Sequence, residues 1–472
     1  MESESDATVE VFNPSNGRLL LAIPAGCEED VNRAVRSART AFESGHWSEA
    51  APSHRKKTLL RFADLIQADA VTLDALDAEE MGKPLSEGFG NAAAAADLMR
   101  FYAEAVDKIV GEVYTSDKNS LVLQRRVPRG VVAAVVPWNF PTYMAVMKVA
   151  PALAAGNCVV LKPSQLSSRS AIRLAQLALK TGIAPGTFNV IPGRGEIVGR
   201  SLALHRDVDM VAFTGSSAVG KLMLQYAGQS NMKPVMAECG GKSPHIIFAD
   251  AVSLDGIADT VAQELVTNQG QICSVGSRLL VHRSVETPLI HKLTARLGRI
   301  VMGDATDART TFGPIVTSRQ LAKIMHYVDT AEAEGAQLVT GGRRARPESG
   351  GYFVEPTVFR AVSPTARIAQ EEIFGPVLAV LSFEDEADAI RIANGTVYGL
   401  GATVWTSNLS VGLRMAKSIR SAVLLNAVPP LGEGPGHAFS NEPIGESGVG
   451  TEGGLAGMAS YMRRHLIWIN HG

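Results

Sequence analysis

Short apolar runs alternate with amphipathic segments from Val131 onward. The runs predicted as strands are Val131–Val136, Cys158–Leu161, Phe188–Ile191 and Met210–Phe213. The intervening segments with helical spacing of apolar residues are Thr142–Ala155, Ser167–Leu179, Ile197–Leu204 and Val219–Tyr226. This alternation predicts βαβ units, and therefore a parallel sheet covered by helices.

The alternation begins again after a glycine-containing loop at Glu238–Pro244. The predicted strands there are His245–Phe248, Arg278–His282, Val377–Phe383, Ala402–Trp405 and Ala422–Leu425. The predicted helices are Leu254–Asn268, Pro288–Ile300, Ser318–Glu334, Glu386–Ala393 and Ser410–Ile419. The polar, Gly/Pro-containing segments Arg343–Gly351 and Pro429–Glu442 are expected to be exposed loops. Two sheet-forming halves therefore account for most of the chain.

Composition narrows the class of protein. Of 472 residues, 46% are hydrophobic and 19% charged, which suits a large core and excludes disorder. The net charge of -2 argues against a nucleic-acid partner. No apolar run is long enough to span a membrane, the first residues do not form a signal peptide, and the four cysteines form no C-x-x-C pair. We expect a soluble cytoplasmic protein without a metal site.

Two glycine-rich turns follow predicted strands and precede predicted helices. The first, at 193–199, contains Gly195 and Gly199 but places its last glycine one position late for a dinucleotide fingerprint. The second, at 213–220, has the same strand-to-helix character. The free amides of a helix N-terminus suit a pyrophosphate, although an ordinary glycine turn explains each pattern equally well. Motifs for phosphoryl transfer, zinc hydrolysis and serine hydrolysis are absent.

A cysteine is the remaining candidate nucleophile. Cys27, Cys158 and Cys239 are expected to be packing residues. Cys273 follows a predicted helix and is surrounded by amide side chains and glycines. Amide donors stabilise a thiolate and an oxyanion, so we expect a lowered thiol pKa there. The local context leaves a catalytic and a structural role equally open.

Six segments taken together resemble the aldehyde dehydrogenase superfamily. They are Pro137-Trp-Asn-Phe-Pro141, Leu161-Lys-Pro-Ser164, Phe213-Thr-Gly-Ser216, Glu238-Cys-Gly-Gly-Lys-Ser-Pro244, Asn268-Gln-Gly-Gln-Ile-Cys273 and Glu371-Glu-Ile-Phe-Gly-Pro376. They occur in the family's order and spacing across nearly the whole chain. The resemblance implies oxidation of an aldehyde to a carboxylic acid with NAD or NADP.

The resemblance also assigns catalytic roles. Cys273 matches the nucleophile that forms a thiohemiacetal and then a thioester. Asn139 matches the amide that joins the Cys273 backbone N–H in the oxyanion hole, and Glu238 matches the base that activates the hydrolytic water. Lys148 and Glu452 resemble proton-relay positions, with a salt-bridged surface role as the alternative.

Cofactor and substrate positions follow from the same resemblance. Lys162 matches an adenosine-ribose contact, Ser216 a pyrophosphate contact, and Glu372 with Phe374 the nicotinamide-ribose contacts. The other expected cofactor residues are Pro137, Trp138, Ser164, Gln165, Gly195, Gly199, Phe213, Gly215 and Val219. The expected pocket residues are Phe140, Thr142, Tyr143, Met144, Met147, Thr267, Ile272 and Ser274.

The sequence departs from the family pattern at three places. Gln165 stands where NAD-selective members often carry Glu, and an amide does not repel a 2′-phosphate, so we hypothesise NAD use with NADP also accepted. The late glycine-rich motif is shortened to Pro443-Ile-Gly-Glu-Ser-Gly448, and the loop 427–442 is unusually rich in Pro and Gly. Residues 101–112 resemble the γ-glutamyl-aminobutyraldehyde and aminoaldehyde branch. Aromatic and aliphatic aldehydes remain open.

The predicted architecture has three parts. Residues 1–106 and 130–240 form a Rossmann-like NAD(P)-binding domain, 241–440 an α/β catalytic domain, and 107–129 with 455–472 a small β extension. The extension ends in the apolar strand Leu466–Asn470, so we expect a homodimer or homotetramer. The alternatives are a coenzyme-A-acylating member, which Glu238 disfavours, and a non-catalytic binding or structural protein on the same fold.

Overall fold

A computed structural model describes residues 6–428 and 437–472. In chain order, its strands are β1 (Thr8–Phe12), β2 (Leu19–Pro24), β3 (Glu112–Tyr114), β4 (Ser120–Pro128), β5 (Val131–Val135), β6 (Cys158–Lys162), β7 (Phe188–Val190), β8 (Met210–Thr214), β9 (Val235–Glu238), β10 (Pro244–Ile247), β11 (Arg278–His282), β12 (Gln337–Thr340), β13 (Arg344–Ala345), β14 (Phe353–Val354), β15 (Thr357–Arg360), β16 (Val377–Phe383), β17 (Tyr398–Gly399), β18 (Gly401–Trp405), β19 (Ala422–Leu425), β20 (Ile444–Gly445), β21 (Gly448–Val449) and β22 (Met462–Asn470). Its α-helices are α1 (Glu28–Glu43), α2 (Pro52–Ala68), α3 (Ala70–Met81), α4 (Ala92–Ala105), α5 (Pro141–Ala154), α6 (Arg169–Leu179), α7 (Arg200–Leu204), α8 (Ser217–Gln229), α9 (Leu254–Val266), α10 (Glu286–Leu297), α11 (Ser318–Ala333), α12 (Arg367–Gln370), α13 (Glu386–Ala393), α14 (Leu409–Ser418) and α15 (Gly454–Ser460).

The first half of the alternation forms a six-stranded sheet. Its strand order is β21-β9-β8-β5-β6-β7, and all neighbours are parallel except β21, which pairs antiparallel with β9. Every residue of β5, β6 and β8 is buried, as expected for a parallel sheet covered on both faces. The four apolar runs predicted as strands are therefore strands, and residues 448–449 add an edge strand from far along the chain.

The second half forms a seven-stranded sheet with the order β12-β15-β16-β11-β10-β18-β19. Only the β12–β15 pair is antiparallel. Helices α9 and α10 pack against each other on one face, where Leu279 and Val281 of β11 are fully buried. The α/β fold class is confirmed in both halves.

A third, antiparallel sheet has the order β22-β4-β3. Strand β22 pairs with β4 over its whole length, from Met462 opposite Pro128 to Asn470 opposite Ser120. The predicted terminal strand is therefore paired, and it begins four residues earlier than the apolar residues indicate.

The N-terminal 105 residues contain structure that the alternation did not predict. A hairpin of β1 and β2 comes first, and helices α1 to α4 follow. Helix α4 includes the alanine run at 92–96, and it packs against α2 and α5. Helices α2 to α4 cover one face of the first sheet with a continuous apolar core that includes Phe62, Met99 and Leu153, whereas α1 packs on the opposite face.

Three local predictions need correction. Residues 197–204 are not one helix, because a π-helical turn at Gly195–Gly199 precedes the short α7. The segment 343–351 is not simply an exposed loop, since Arg344–Ala345 pairs with β14 and Gly351 is buried against Ser15. The helix predicted to reach residue 268 ends at Val266. Residues 429–436 of the long predicted loop lie outside the described residues.

Within 6–428 and 437–472, no helix is long and apolar enough to cross a membrane.

Candidate active site

The candidate residues lie at the carboxyl ends of strands in the first sheet and at the amino ends of strands in the second sheet. In the first sheet, Asn139 follows the carboxyl end of β5 and Glu238 ends β9. In the second sheet, Cys273 precedes the amino end of β11 and Glu372 precedes that of β16. The negative charges of Glu238 and Glu372 both act on the Cys273 thiol, so the loops converge. Four candidate residues that are far apart in sequence therefore lie close together.

A strained turn carries Cys273 into the cleft between these loops. After α9, the turn Thr267–Gly270 places Asn268 and Gln269 in left-handed conformations, at φ 45° and φ 55°. Such non-glycine residues cost about 1–3 kcal/mol each and persist only where surrounding contacts hold them. The Asn139 side-chain N–H donates to the Gln271 carbonyl at 2.9 Å, and the Asn268 amide donates to the Asn139 carbonyl at 2.7 Å. These bonds fix the turn to the Asn139 loop.

The Cys273 thiol is held in its neutral form. Its residue is half-buried, and a Cβ at Gly241 would lie 2.4 Å from the Cys273 carbonyl oxygen, so the neighbouring loop packs tightly on it. Burial, together with the charges of Glu238 and Glu372, raises the pKa of the thiol to about 12. The backbone N–H groups of Cys273 and Ser274 act in the opposite direction with less effect. The expected lowering of the Cys273 pKa is therefore wrong.

Glu238 is also shifted toward its neutral form. Burial is the largest cause and repulsion from Glu452 the second, and together they raise the pKa of Glu238 to about 8. The Lys148 ammonium opposes them. A carboxyl with a pKa near neutrality can gain or lose a proton under ordinary conditions, which is the property of a general base.

Lys148 and Glu452 form an ion pair in the protein interior. Lys148 is fully buried on α5, and Glu452 is 9% exposed. The salt-bridged surface role considered for each residue is therefore wrong in its location, because the ion pair between them lies in the interior. Burial, and after it the charge of the Glu452 carboxylate, raises the pKa of the phenols Tyr102 and Tyr143, so both rings lie within the electrostatic range of this pair.

A crevice opens at the carboxyl ends of β5, β6 and β8. The chain moves from β5 to β6 and β7 on one side and returns to β8 and β9 on the other. Ligands of doubly wound sheets bind at such a topological switch point. Pro137 and Trp138 follow β5, Lys162 ends β6, and Gly215 follows β8, so several expected cofactor residues lie at its rim.

The rim residues differ in exposure. Lys162 is 5% exposed, and burial lowers the pKa of its ammonium to about 8, against the opposing charge of Glu196. Glu196 belongs to the turn that contains exposed Gly195 and buried Gly199, so this turn lies near Lys162. Ser164 and Gln165 are half-buried beside it, and Phe213 is buried within β8.

A helix N-terminus and two rings lie near the same strand ends. Ser216 caps α8 by accepting the N–H of exposed Val219 at 3.4 Å, and the other N–H groups of this first turn have no partner within the helix. Trp138 and Phe374 meet edge to face with centroids 5.3 Å apart. The Glu372 carboxylate accepts from the Gly241 N–H at 3.1 Å. A buried cation, a helix N-terminus, apolar ring faces and a carboxylate fit a dinucleotide with its ribose hydroxyls.

The expected pocket residues separate into two groups. Five of them pack into one apolar cluster at the α5 side of the cleft: Phe140, Tyr143, Met144, Met147 and Ile272. Thr267 instead bonds to the Gln263 carbonyl at 2.8 Å, Ser274 is exposed, and the fully buried Thr142 donates its N–H to Asp77. The structure therefore provides an apolar wall, mainly from α5.

Sequence analysis missed two contacts of the Glu372–Phe374 segment. Gln320 donates its amide to the carbonyls of Ile373 and Phe374, at 3.0 and 2.8 Å. Lys323 donates to the Glu372 carbonyl at 3.1 Å. Both lie on α11 beside a cavity of about 290 Å³ that Trp138 also lines. Their helix carries no local motif, so only the packing of α11 on this segment reveals them.

The family model named "Aldehyde dehydrogenase family" matches residues 1–467. The chain belongs to the aldehyde dehydrogenase family. A curated relative, aminoacetaldehyde dehydrogenase of Pseudomonas aeruginosa, is 41% identical over 463 residues, covering 97% of this chain and 91% of the relative.

Solved structures of aldehyde dehydrogenases superpose over 100% of the chain. An indole-3-acetaldehyde dehydrogenase in complex with NAD+ is 44% identical with a TM-score of 0.97, over 94% of its own chain. The γ-glutamyl-γ-aminobutyraldehyde dehydrogenase of Burkholderia cenocepacia is 45% identical with a TM-score of 0.96, over 95% of its own chain. The chain is accordingly an NAD(P)-dependent aldehyde dehydrogenase that oxidises an aldehyde to a carboxylic acid.

Removing the Lys148 charge alone should destabilise this aldehyde dehydrogenase. Lys148→Met leaves the Glu452 carboxylate buried without its counter-ion, which costs about 3–5 kcal/mol. We expect a clearly lower melting temperature in thermal denaturation followed by circular dichroism, and partial recovery in the double variant Lys148→Met/Glu452→Gln.

The matched control is Lys292→Met, because Lys292 pairs at 2.8 Å with the exposed Asp255. Surface pairs contribute about 0–1 kcal/mol, so this variant should melt close to the parent. A Lys148→Met protein that melts with the control would contradict the interpretation of a buried ion pair.

Proposed function

We propose that Cys273 is the nucleophile, that Asn139 and the Cys273 backbone N–H hold the oxyanion, and that Glu238 activates the hydrolytic water. The convergence of these three residues from separate loops on one cleft carries the proposal. Each has the chemistry that its role needs: a sulfur nucleophile, an amide donor and a carboxyl that titrates near neutrality.

Acylation begins when the Cys273 thiol releases its proton to solvent and the sulfur adds to the aldehyde carbon. A C–S bond forms, and the carbonyl π electrons move to oxygen. The Asn139 amide donates one N–H to the Gln271 carbonyl, and its second N–H supports the new oxyanion. Because the negative charge of Glu238 raises the thiol pKa, protonation of Glu238 makes the thiolate easier to form.

Lys162, Ser216, Glu372 and Phe374 would hold NAD(P)+. The bound cofactor would supply the hydride acceptor that oxidation of the thiohemiacetal to the thioester requires. Deacylation then needs a water molecule that gives its proton to the Glu238 carboxylate while its oxygen attacks the thioester carbon. The C–S bond breaks, the acid leaves, and Cys273 is regenerated.

Hydrolysis is favoured over transfer of the acyl group to coenzyme A. Glu238 is partly buried and lies within the electrostatic influence of both Cys273 and the Lys148–Glu452 pair. A base in that position can activate a water molecule for attack on the thioester. The thiol of coenzyme A would not need a base of comparable strength to accept the acyl group. Product release that depends on coenzyme A would favour the acylating alternative.

Replacing Glu238 by Gln separates the two half-reactions. The hydride burst should survive while steady turnover falls by about 10²–10⁴-fold, because only deacylation loses its base. Wild-type turnover should rise as pH increases through about 8, where Glu238 loses its proton, and the variant should lack this rise.

The same variant should have a more acidic thiol, since one of the charges that raises the Cys273 pKa is gone. Iodoacetamide should therefore alkylate Cys273 faster at pH 8 than in the parent enzyme. Cys273→Ala serves as the control, with neither burst nor turnover. Loss of the burst in Glu238→Gln would place this residue earlier in the mechanism.

The proposed substrates are aminoaldehydes. Two of the similar proteins are named for aminoacetaldehyde and γ-glutamyl-γ-aminobutyraldehyde oxidation. The unbranched Met144 and Met147 side chains form an adaptable wall. Arylacetaldehydes are the second candidate, because Phe101 and His437 place two rings 6.0 Å apart beside this cluster. The ratio of kcat/KM values for 3-aminopropionaldehyde and phenylacetaldehyde distinguishes the two.

Dual cofactor use is proposed from the amide at Gln165. A glutamate there would repel a 2′-phosphate, whereas glutamine keeps a hydrogen bond to the ribose without that repulsion. Gln165→Glu should therefore weaken NADPH binding by at least about tenfold and leave NADH binding nearly unchanged, measured by nucleotide fluorescence.

Gln176→Glu makes the same charge change on the exposed side of α6 and should alter neither constant. A wild-type preference for NAD over NADP greater than about a thousandfold would contradict dual use.

The proposed assembly is a homodimer or homotetramer in the cytoplasm, where the four free cysteines remain reduced. The register of the third sheet aligns Tyr114, Val122 and Trp468 across one face, and Trp468 is 70% exposed. Exposed aromatic rows of this kind favour burial against another subunit.

Light scattering after size exclusion should give two or four times the 50.0 kDa chain mass. Trp468→Glu should shift the population toward the monomer because it places a charge in the contact, whereas Val252→Glu on an exposed loop should not. A monomeric wild-type protein would contradict the assembly.

A further inference from the structure

The segment between α3 and α4 joins the N-terminal helices to the catalytic domain. The Leu85 N–H donates to the Ala305 carbonyl at 2.9 Å, and the Ser86 hydroxyl donates to the Thr310 carbonyl at 2.5 Å. A Cβ at Gly82 would lie 2.8 Å from the Pro314 ring. This segment is therefore fixed against the second domain, although it belongs to the first part of the chain.

Glu87 extends from this segment to the turn before Cys273. Its carboxylate accepts the backbone N–H of Asn268 at 2.8 Å. Its other oxygen is buried and has no partner among the described residues. Burial raises the pKa of Glu87 to about 7, opposed by the charge of Lys83 and the Asn268 N–H. A buried carboxylate on a backbone N–H forms a stronger bond than a neutral acceptor does.

The accepted N–H belongs to the first left-handed residue of the turn. From there, hydrogen bonds continue without interruption: Asn268 donates to the Asn139 carbonyl, Asn139 to the Gln271 carbonyl, and the Gln271 amide to the Asn268 carbonyl at 3.1 Å. Glu87 lies outside this closed set of hydrogen bonds and binds it through the Asn268 N–H. Without Glu87, the strained turn loses a contact that opposes its relaxation.

We propose that Glu87 is a positioning residue that fixes the Asn268–Gln269 turn and thereby aligns the Asn139 amide with Cys273. The proposal rests on the roles proposed above for Asn139 and Cys273. Among the described residues, the hydrogen bond of the Glu87 carboxylate is to the Asn268 backbone N–H, so its effect on the reaction passes through the turn. Misplacing reacting groups by about 1 Å costs roughly 10²-fold in rate, which sets the scale of the expected effect.

The test is the rate of the hydride burst in Glu87→Ala, measured by stopped-flow absorbance at saturating NAD+. We expect the burst to slow by about 10–100-fold while the Kd for NADH changes less than about twofold. Glu87→Gln should recover most of the burst rate, because an amide oxygen still accepts the Asn268 N–H. Glu87→Asp keeps the charge, but its side chain is one methylene too short to reach the Asn268 N–H. The burst of this variant should therefore remain slow.

Glu80 supplies a matched control. It is 1% exposed, lies on α3, and accepts the Arg169 backbone N–H at 3.1 Å, away from the Cys273 turn. Glu80→Ala should lower the melting temperature without slowing the burst. If Glu80→Ala slows the burst as much as Glu87→Ala does, the effect is structural and the proposal is overturned.

A Glu87→Ala burst rate within about threefold of the parent would also overturn the proposal. If Glu87→Ala does not fold, the contrast between Glu87→Gln and Glu87→Asp decides the question, and equal burst rates would overturn the proposal. Cys273→Ala and Asn139→Ala are measured in parallel. If both of these variants lose activity while Glu87→Ala has a normal burst, only the inference about Glu87 is rejected. If both variants retain activity, the proposed function is rejected as well.

Discussion

The left-handed turn at Asn268 and Gln269 is the constraint on which the site depends. Helix α9 ends at Val266, and two non-glycine residues with positive φ redirect the chain so that Cys273 enters the cleft. Neither conformation is favourable by itself, so contacts from outside the turn must hold it. Those contacts come from Asn139 and Glu87, which both belong to the first half of the chain. The position of the proposed nucleophile therefore depends on contacts between the two halves of the chain.

Burial and nearby charges in the cleft disfavour the ionised forms of Cys273 and Glu238. Burial and two nearby carboxylates keep the Cys273 thiol neutral, while burial and Glu452 hold a proton on Glu238 near neutrality. A negative charge on Cys273 or on Glu238 disfavours ionisation of the other group, so the titrations of the two groups are coupled. The buried Lys148–Glu452 pair sets the field around Glu238, which gives this pair a consequence beyond packing.

The fold could be predicted from the sequence wherever the apolar period was clear. Strands β5, β6 and β8 are buried on both faces, so each appears as an unbroken apolar run. Helices α1 to α3 were missed because no strands alternate with them. The π-helical turn at Gly195–Gly199 was missed because periodicity does not distinguish it from an α-helical turn. Cys273, Asn139 and Glu238 were predicted from motifs, whereas Glu87, Gln320 and Lys323 make hydrogen bonds to backbone groups, which leave no motif.

By itself the sequence determined the α/β class, the family resemblance and the residue types available for the chemistry, because these depend on local pattern. Only the tertiary structure decided that Lys148 and Glu452 pair in the interior, that the Cys273 pKa is raised rather than lowered, and that Glu87 contacts the Asn268 turn. The physical reason is the same in each case. Burial and the distance between charges set these properties, and both arise from residues brought together across hundreds of positions of chain.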